Sequence, residues 1–219
     1  MRNQTVVQKI TQERILSAAT EVFAEQGFHK TTIREICSRA GVNVASVNYH
    51  FGSKENLYRE VCLHALGLSA RSQNHGRHLP EEMLSPEEQL ERFIHSFLCE
   101  ILDQSTNVHA SKIMVWEMNE PSGIFDVIVT DIIKPHHERL CAIVAALLGQ
   151  RADEELIKQC VFSIIGQCLH YRYGRHVIPR LYPPLQYTPE TFERLARHIT
   201  RFTAAALRAF AAELQDYGV

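Results

Sequence analysis

Several signatures of chemistry are missing from this 219-residue chain. There is no glycine-rich phosphate loop, no Gly-x-Ser-x-Gly turn and no His-Glu-x-x-His. Their absence removes the nucleotide-cradling, serine-nucleophile and zinc-protease classes, and no enzyme is expected. No run of about 18 uninterrupted apolar residues occurs, so no helix is expected to cross a bilayer. The N-terminal charges are not followed by an apolar run, which predicts no signal peptide and a cytoplasmic protein. No Cys-x-x-Cys pair occurs. Cys37, Cys62, Cys99, Cys141, Cys160 and Cys168 sit inside apolar helical patterns, where a reduced cysteine behaves as a small hydrophobe. A disulfide framework is not expected, nor is a bound cofactor or metal. An excess of one charge is lacking too, the net charge being -2. Residues 1–60 nevertheless carry eight basic and six acidic side chains, and the remainder is acidic. That asymmetry hints at nucleic acid.

What is present is helical periodicity from end to end, with no strand pattern or repeat. Ile15, Ala18, Ala19, Val22 and Phe23 fall at helical spacing behind Thr11 as a cap, and that helix should stop before Gly27. Thr32-Ile33-Arg34-Glu35 reads as a capping box opening a short helix that ends at Gly41. A third helix is predicted over Val44 to His50. Ser53 should cap a fourth that reaches about Ala70. Residues 71–86 read as a loop, with Pro86 opening the next helix behind Ser85. Further helices are expected at about 107–119, at 123–149 with a kink at Pro135, and from Asp153 to about Gly174. After a proline-rich connection, Thr188-Pro189 opens the last helix, with Phe192, Leu195, Ile199, Phe202, Ala206 and Phe210 on one side.

The stretch VASVNYHFGSKENLY, Val44 to Tyr58, follows a short helix across Ala40-Gly41-Val42-Asn43. Two short helices joined by a glycine turn make a helix-turn-helix, with Val42 tucked beneath the turn. Small residues such as Ala45 and Ser46 let the second helix sink into a DNA major groove. Asn43, Ser46 and Asn48 can exchange hydrogen bonds with base edges. Tyr49 and His50 can reach phosphates, and Lys54 stands at a helix start whose amides also favour phosphate. Phe51 and Leu57 would anchor the unit. Taken alone, Tyr49-His50-Phe51 also fits a packed helix end. The spacing of Lys54 and of the turn selects the DNA reading. Asn48 fits a base contact and a solvated position equally well.

The segment TTIREICSRAGVNVASVNYHFGSKENLYREV resembles the DNA-binding domain of TetR-type transcriptional regulators. The likeness spans roughly residues 10–60 and rests on Tyr49-His50-Phe51-x-x-Lys54-x-x-Leu57 behind Ala40-Gly41-Val42. The remainder is similar to the C-terminal domain of CecR-like regulators. The resemblance implies an all-α chain: a three-helix DNA-binding domain over 1–58, a connecting helix over about 53–70, and a helical ligand-binding and dimerisation bundle over 71–219. It makes Thr32, Asn43, Ala45, Ser46, Tyr49, His50 and Lys54 the DNA-facing set. Many members carry an aromatic residue before the Tyr-His pair, where this chain has Asn48. The implied partners are a double-stranded operator, a small-molecule effector and a second copy of the chain, with no membrane.

In the bundle, Phe93, Phe97, Met114, Trp116, Met118, Phe125, Gln167, His170 and Tyr171 are candidates for an apolar effector pocket with a few polar groups. An aromatic and methionine stripe is also what plain core looks like. Ala206, Leu207 and Phe210, among the alanines of the last helix, are candidates for a twofold interface, or for packing within one monomer. Glu117 and Glu120 read as solvated helix residues rather than an acid–base pair. The alternative function is a metal- or redox-sensing regulator using cysteine and histidine, including His136-His137 and Cys160 with Cys168. Those two cysteines lie about 12 Å apart along a helix, too far for a bond within one chain.

Overall fold

The computed structural model describes residues 2–65, 83–102 and 108–216, and among these no strand occurs. The chain is all-α, as its periodicity predicts. It forms two compact units, one of residues 1–75 and 104–132, the other of 76–103 and 133–219.

The first unit contains α1 (Arg2–Lys30), α2 (Ile33–Ala40), α3 (Val44–Phe51), α4 (Lys54–Ala65), α6 (Val108–Asn119) and α7 (Phe125–Ile128). Helix α1 begins well before Thr11, so Thr11 is an interior position and not a cap. Residues 2–10 contain no glycine or proline to stop the helix. Helix α1 is kinked at Gly27, whose φ of 74° breaks the helical geometry before its last residues to Lys30.

Local caps then set the short elements. Thr32 Oγ1 accepts from Glu35 N at 3.3 Å, while the Glu35 carboxylate takes the Gln26 amide of α1 rather than completing the expected box. Gly41 turns left-handed at φ 63°, and Arg14 Nη2 donates to Ala40 O at 2.7 Å, tying the end of α2 to α1. Ser53 Oγ accepts from Asn56 N at 3.1 Å and starts α4. The continuation of α4 to Ala70 and most of the 71–86 loop lie outside the described residues.

Ile15, Ala19, Val22 and Phe23 of α1 meet Ile36, Val47, Phe51, Leu57 and Val61 in one core. Helices α6 and α7, which the expected division assigns to the second domain, belong to this unit, and α6 packs against α1 and α4. The reason lies in α6. Glu117 is fully buried, contrary to the expectation of a solvated residue: Tyr58 OH donates to its Oε1 at 2.7 Å and Ser122 N to its Oε2 at 3.1 Å. Glu117 stands one helical turn after buried Ile113, so the two share the inward face.

The second unit contains α5 (Pro86–Leu102), α8 (Lys134–Leu148), α9 (Glu154–Tyr173), α10 (Ile178–Leu181) and α11 (Pro189–Asp216). Ser85 and Glu88 form a reciprocal capping box at the start of α5. Asp153 and Thr188 cap α9 and α11. Between α7 and α8 a π turn over Val129–Ile133 takes up the break expected at Pro135, which sits in the first turn of α8. The connection between α9 and α11 includes the short helix α10.

Leu90, Ile94, Leu98 and Leu102 of α5 interlock with Leu140 and Val144 of α8, Val161 and Ile164 of α9, and Phe192, Leu195 and Ile199 of α11. The buried stripe of α11 continues through Thr203 and Leu207. Phe202 and Phe210 are therefore not on the side of Phe192 and Ile199, as expected, but beside it on an outward face.

Candidate nucleic-acid interface

Helix α3 owes its shape to Asn43. The Asn43 Oδ1 accepts from Ser46 N at 2.9 Å and from Ser46 Oγ at 3.0 Å. Both side chains are thus held in place at the first turn, with the Asn43 amide left as a donor. Val47 and Phe51 point into the core, which turns Ala45, Asn48 and Tyr49 outward. Tyr49 is 72% exposed, a large value for a tyrosine with no fold role. Its ring meets the His50 imidazole edge-on at 5.1 Å, and Gln8 Nε2 donates to its hydroxyl at 3.4 Å.

A groove of about 380 Å³ runs between α1 and α3, lined by Gln8 and Thr11 on one side and Asn43, Ala45, Ser46, Tyr49 and His50 on the other. No carboxylate lines it. The expected DNA-facing residues therefore fall into two sets. Asn43, Ala45, Ser46, Tyr49 and His50 share the groove. Thr32 caps α2, Asn48 stands exposed outside the groove, and Lys54 lies at the start of α4.

The Lys54 ammonium sits 4.4 Å over the Phe28 ring, and burial there moves its pKa down from the ordinary lysine value, with Glu55 opposing. Arg39 holds Glu25 through two contacts of 2.9 Å, and that hydrogen-bonded guanidinium keeps the Glu25 carboxyl below its usual range. Arg39 is thereby engaged within the unit. Gln8 and Thr11, which line the groove, are not among the expected DNA-facing residues. The only available signal was the uninterrupted helical run before Thr11.

The expected effector residues divide between the units. Met114, Trp116, Met118 and Phe125 belong to the first. There the Trp116 indole covers Gly27 and its Nε1 donates to Ala24 O at 3.2 Å, while Met118 is exposed. Phe93, Phe97, Gln167, His170 and Tyr171 belong to the second. Phe93 is in the core and stacks on Phe97 at 6.2 Å. Gln167 donates to Ser163 O and Thr203 Oγ1, both at 3.4 Å, and His170 lies on the exposed side of α9. A separate groove of about 460 Å³ between α5 and α11 is bordered by Glu88, Glu91, Arg92, His95, Glu193 and Arg197, none of them an expected effector residue.

Among the expected interface residues, Ala206 and Phe210 face outward, whereas Leu207 is 2% exposed and fills the core of the second unit. Phe202 at 63% and Phe162 of α9 at 61% are large exposed rings of the second unit.

Cysteine and histidine form adjacent pairs, Cys99 with His95 at 3.7 Å and Cys141 with His137 at 3.6 Å. Among the described residues no group of three or more His, Cys, Asp or Glu could hold a metal ion. Burial pushes the Cys62 and Cys168 thiols up to about 12, opposite to the lowered value of a reactive thiol. No helix among the described residues is long and apolar enough to cross a membrane.

Comparison with known proteins agrees with this geometry. Residues 15–61 match the bacterial regulatory proteins of the tetR family, and residues 86–208 match the C-terminal domain of the HTH-type transcriptional dual regulator CecR. The chain is 27% identical over 183 residues to CecR of Shigella flexneri, covering 80% of this chain and 81% of that protein. It is 36% identical over 63 residues to the transcriptional regulator UidR of Escherichia coli K12, 29% of this chain and 32% of that one. Among solved structures, a linker-substituted mutant of HlyIIR superposes with a TM-score of 0.60 at 25% identity, covering 86% of this chain and 96% of that chain. HlyIIR itself, a hemolysin II transcriptional regulator, gives 0.57 at 23% identity over 88% and 98% of the two chains, a likeness of fold.

Proposed function

Because this chain belongs to the TetR family of transcriptional regulators and carries the CecR-type C-terminal domain, we propose that it is a homodimeric cytoplasmic repressor released by a small-molecule effector. Its fold and relatives are those of regulators and not of enzymes. The observation that carries the DNA reading is the outward face of α3. Tyr49 is exposed at the rim of a groove free of carboxylate, while Val47 and Phe51 lock the helix behind it. A phenol, an imidazole and an asparagine amide are left to meet phosphates and base edges.

The dimer reading is supported by the outward face of the second unit. Phe162 and Tyr173 of α9 and Phe202 and Phe210 of α11 leave large apolar surfaces in water. A second copy applied through a twofold axis covers them. Twofold symmetry then implies a near-palindromic operator with half-sites roughly 34–36 Å apart.

For release, an effector must favour one conformation over the other. The side chains best suited to meet it are Phe93, Phe97, Gln167, His170 and Tyr171. The two 3.4 Å bonds of Gln167 are long enough to trade for a ligand at little cost. Helix α6 belongs by sequence to the CecR-type segment and is tied to α4 by Tyr58 and Glu117, which gives a route by which a shift could reach the reading head.

The test is selection of bound duplexes from a random pool by wild type and Tyr49→Ala. An enriched palindrome, lost in the mutant, is the expected result. No enrichment at low salt, where phosphate attraction is strongest, refutes the DNA reading. Unchanged affinity for the selected operator across a small-molecule library that binds the protein refutes release.

A further inference from the structure

We propose that the N-terminal part of α1 is a second DNA contact. In this proposal Gln8 and Thr11 hold a phosphate of the duplex in the groove they share with Ser46, Tyr49 and His50. The inference rests on the DNA reading of α3 and adds to it a binding site outside the helix-turn-helix.

Three observations carry it. First, α1 extends to Arg2, about two turns before Thr11 by helical rise. That extension places polar side chains beside the recognition helix, which a helix beginning at Thr11 could not do. Positions 8 and 11 are three residues apart and share a face. Second, the groove is lined by two amides, hydroxyls, a phenol and an imidazole, with no carboxylate to repel an anion. These are groups that position DNA through its phosphates without reading sequence. Third, Gln8 reaches Tyr49 from 41 residues away in sequence, through a 3.4 Å contact between two exposed side chains. A bond that long between solvated groups is weak. Its donor hydrogens can turn to a phosphate oxygen, and the Tyr49 hydroxyl can donate to the same group.

Gln8 and Thr11 carry no charge, so their contribution has a distinct signature. A neutral donor releases no counterion by itself, whereas a lysine at a phosphate does. Gln8 is exposed on a helix, where alanine is well tolerated, so Gln8→Ala should leave the fold intact.

The experiment titrates wild type, Gln8→Ala, Gln8→Lys and Tyr49→Ala with a short random-sequence duplex at several salt concentrations. The selected operator, once found, is run in parallel. Thermal unfolding of each variant checks the fold. With two protomers each losing one or two modest hydrogen bonds, Gln8→Ala should bind roughly tenfold more weakly to both duplexes, with an unchanged salt slope. Gln8→Lys should bind more tightly and steepen the slope by about 0.9 per protomer. If Gln8→Ala and Gln8→Lys bind as wild type does while Tyr49→Ala is impaired, the second contact is refuted and the role of α3 stands. Unchanged operator affinity in Gln8→Ala, with the fold intact, also refutes it. If wild type binds neither duplex, the DNA reading itself fails.

Discussion

Replacing Gly27 by alanine should be among the most damaging single-methyl additions in the chain. Gly27 has φ 74° and ψ 176°, a region essentially reserved for glycine. Holding a side chain there costs about 1–3 kcal/mol. A Cβ would also stand 2.9 Å from Trp116 Cδ2 and 3.0 Å from Cε3. The indole is not free to retreat, because its Nε1 is anchored on Ala24 O at 3.2 Å. Overpacking of this kind costs about another 1–3 kcal/mol. Gly27→Ala should then destabilise the first unit by about 2–6 kcal/mol. A double-mutant cycle with Trp116→Leu separates the two causes. In the leucine background the backbone cost persists and the clash is relieved, so the penalty should shrink by about 1–3 kcal/mol. Urea unfolding is followed by circular dichroism, since Trp116 is the only tryptophan and its removal abolishes intrinsic indole fluorescence. A penalty for Gly27→Ala below about 0.5 kcal/mol refutes the argument, and an equal penalty in both backgrounds refutes the role given to Trp116.

Tyr58→Phe should cost about 1–3 kcal/mol in urea unfolding, because it strips a donor from the buried Glu117 carboxyl. Tyr58→Phe with Glu117→Met should cost less than the two single changes added. Phe202→Glu should leave helical content unchanged and convert a dimer to monomers in sedimentation, since the ring is outside the protomer core. Cys62 and Cys168 should resist alkylation at pH 8 in the native protein and react on unfolding, as both are buried with thiols raised to about 12. The Glu88 carboxyl is held below its ordinary range by the Ser85 hydroxyl and then the Ser85 N–H. A depressed folded value means stability that is present above the unfolded pKa and is lost as pH falls through the folded one. The stability gap between wild type and Ser85→Ala should therefore narrow in acid titration below about pH 4.

The helical segments and the reading head could be found in the chain itself because their causes are local. Ser85 with Glu88, Asn43 with Ser46 and Ser53 with Asn56 are caps between residues three apart. The spacing of Tyr49, His50, Phe51 and Lys54 follows from one short helix and the start of the next. Such contacts form wherever those residues stand in a helical backbone, so pattern alone reveals them. Periodicity was less informative where a helix has more than one apolar face: it placed Phe202 with Ile199, although only packing against α5 and α8 decides which stripe is inward. Nor could it separate Leu207, a core residue, from the outward Ala206 and Phe210. The remaining surprises depend on partners distant in sequence. Tyr58 lies 59 residues from Glu117, Trp116 lies 92 from Ala24, and Gln8 lies 41 from Tyr49. A glutamate in a helix carries no local sign of burial, and a tryptophan none of the glycine it will cover. Local hydrogen bonding and amphipathic spacing are written in the order of residues. The burial of Glu117, the seat of Trp116 and the pairing of α1 with α3 in one groove exist only once the chain has brought remote segments together.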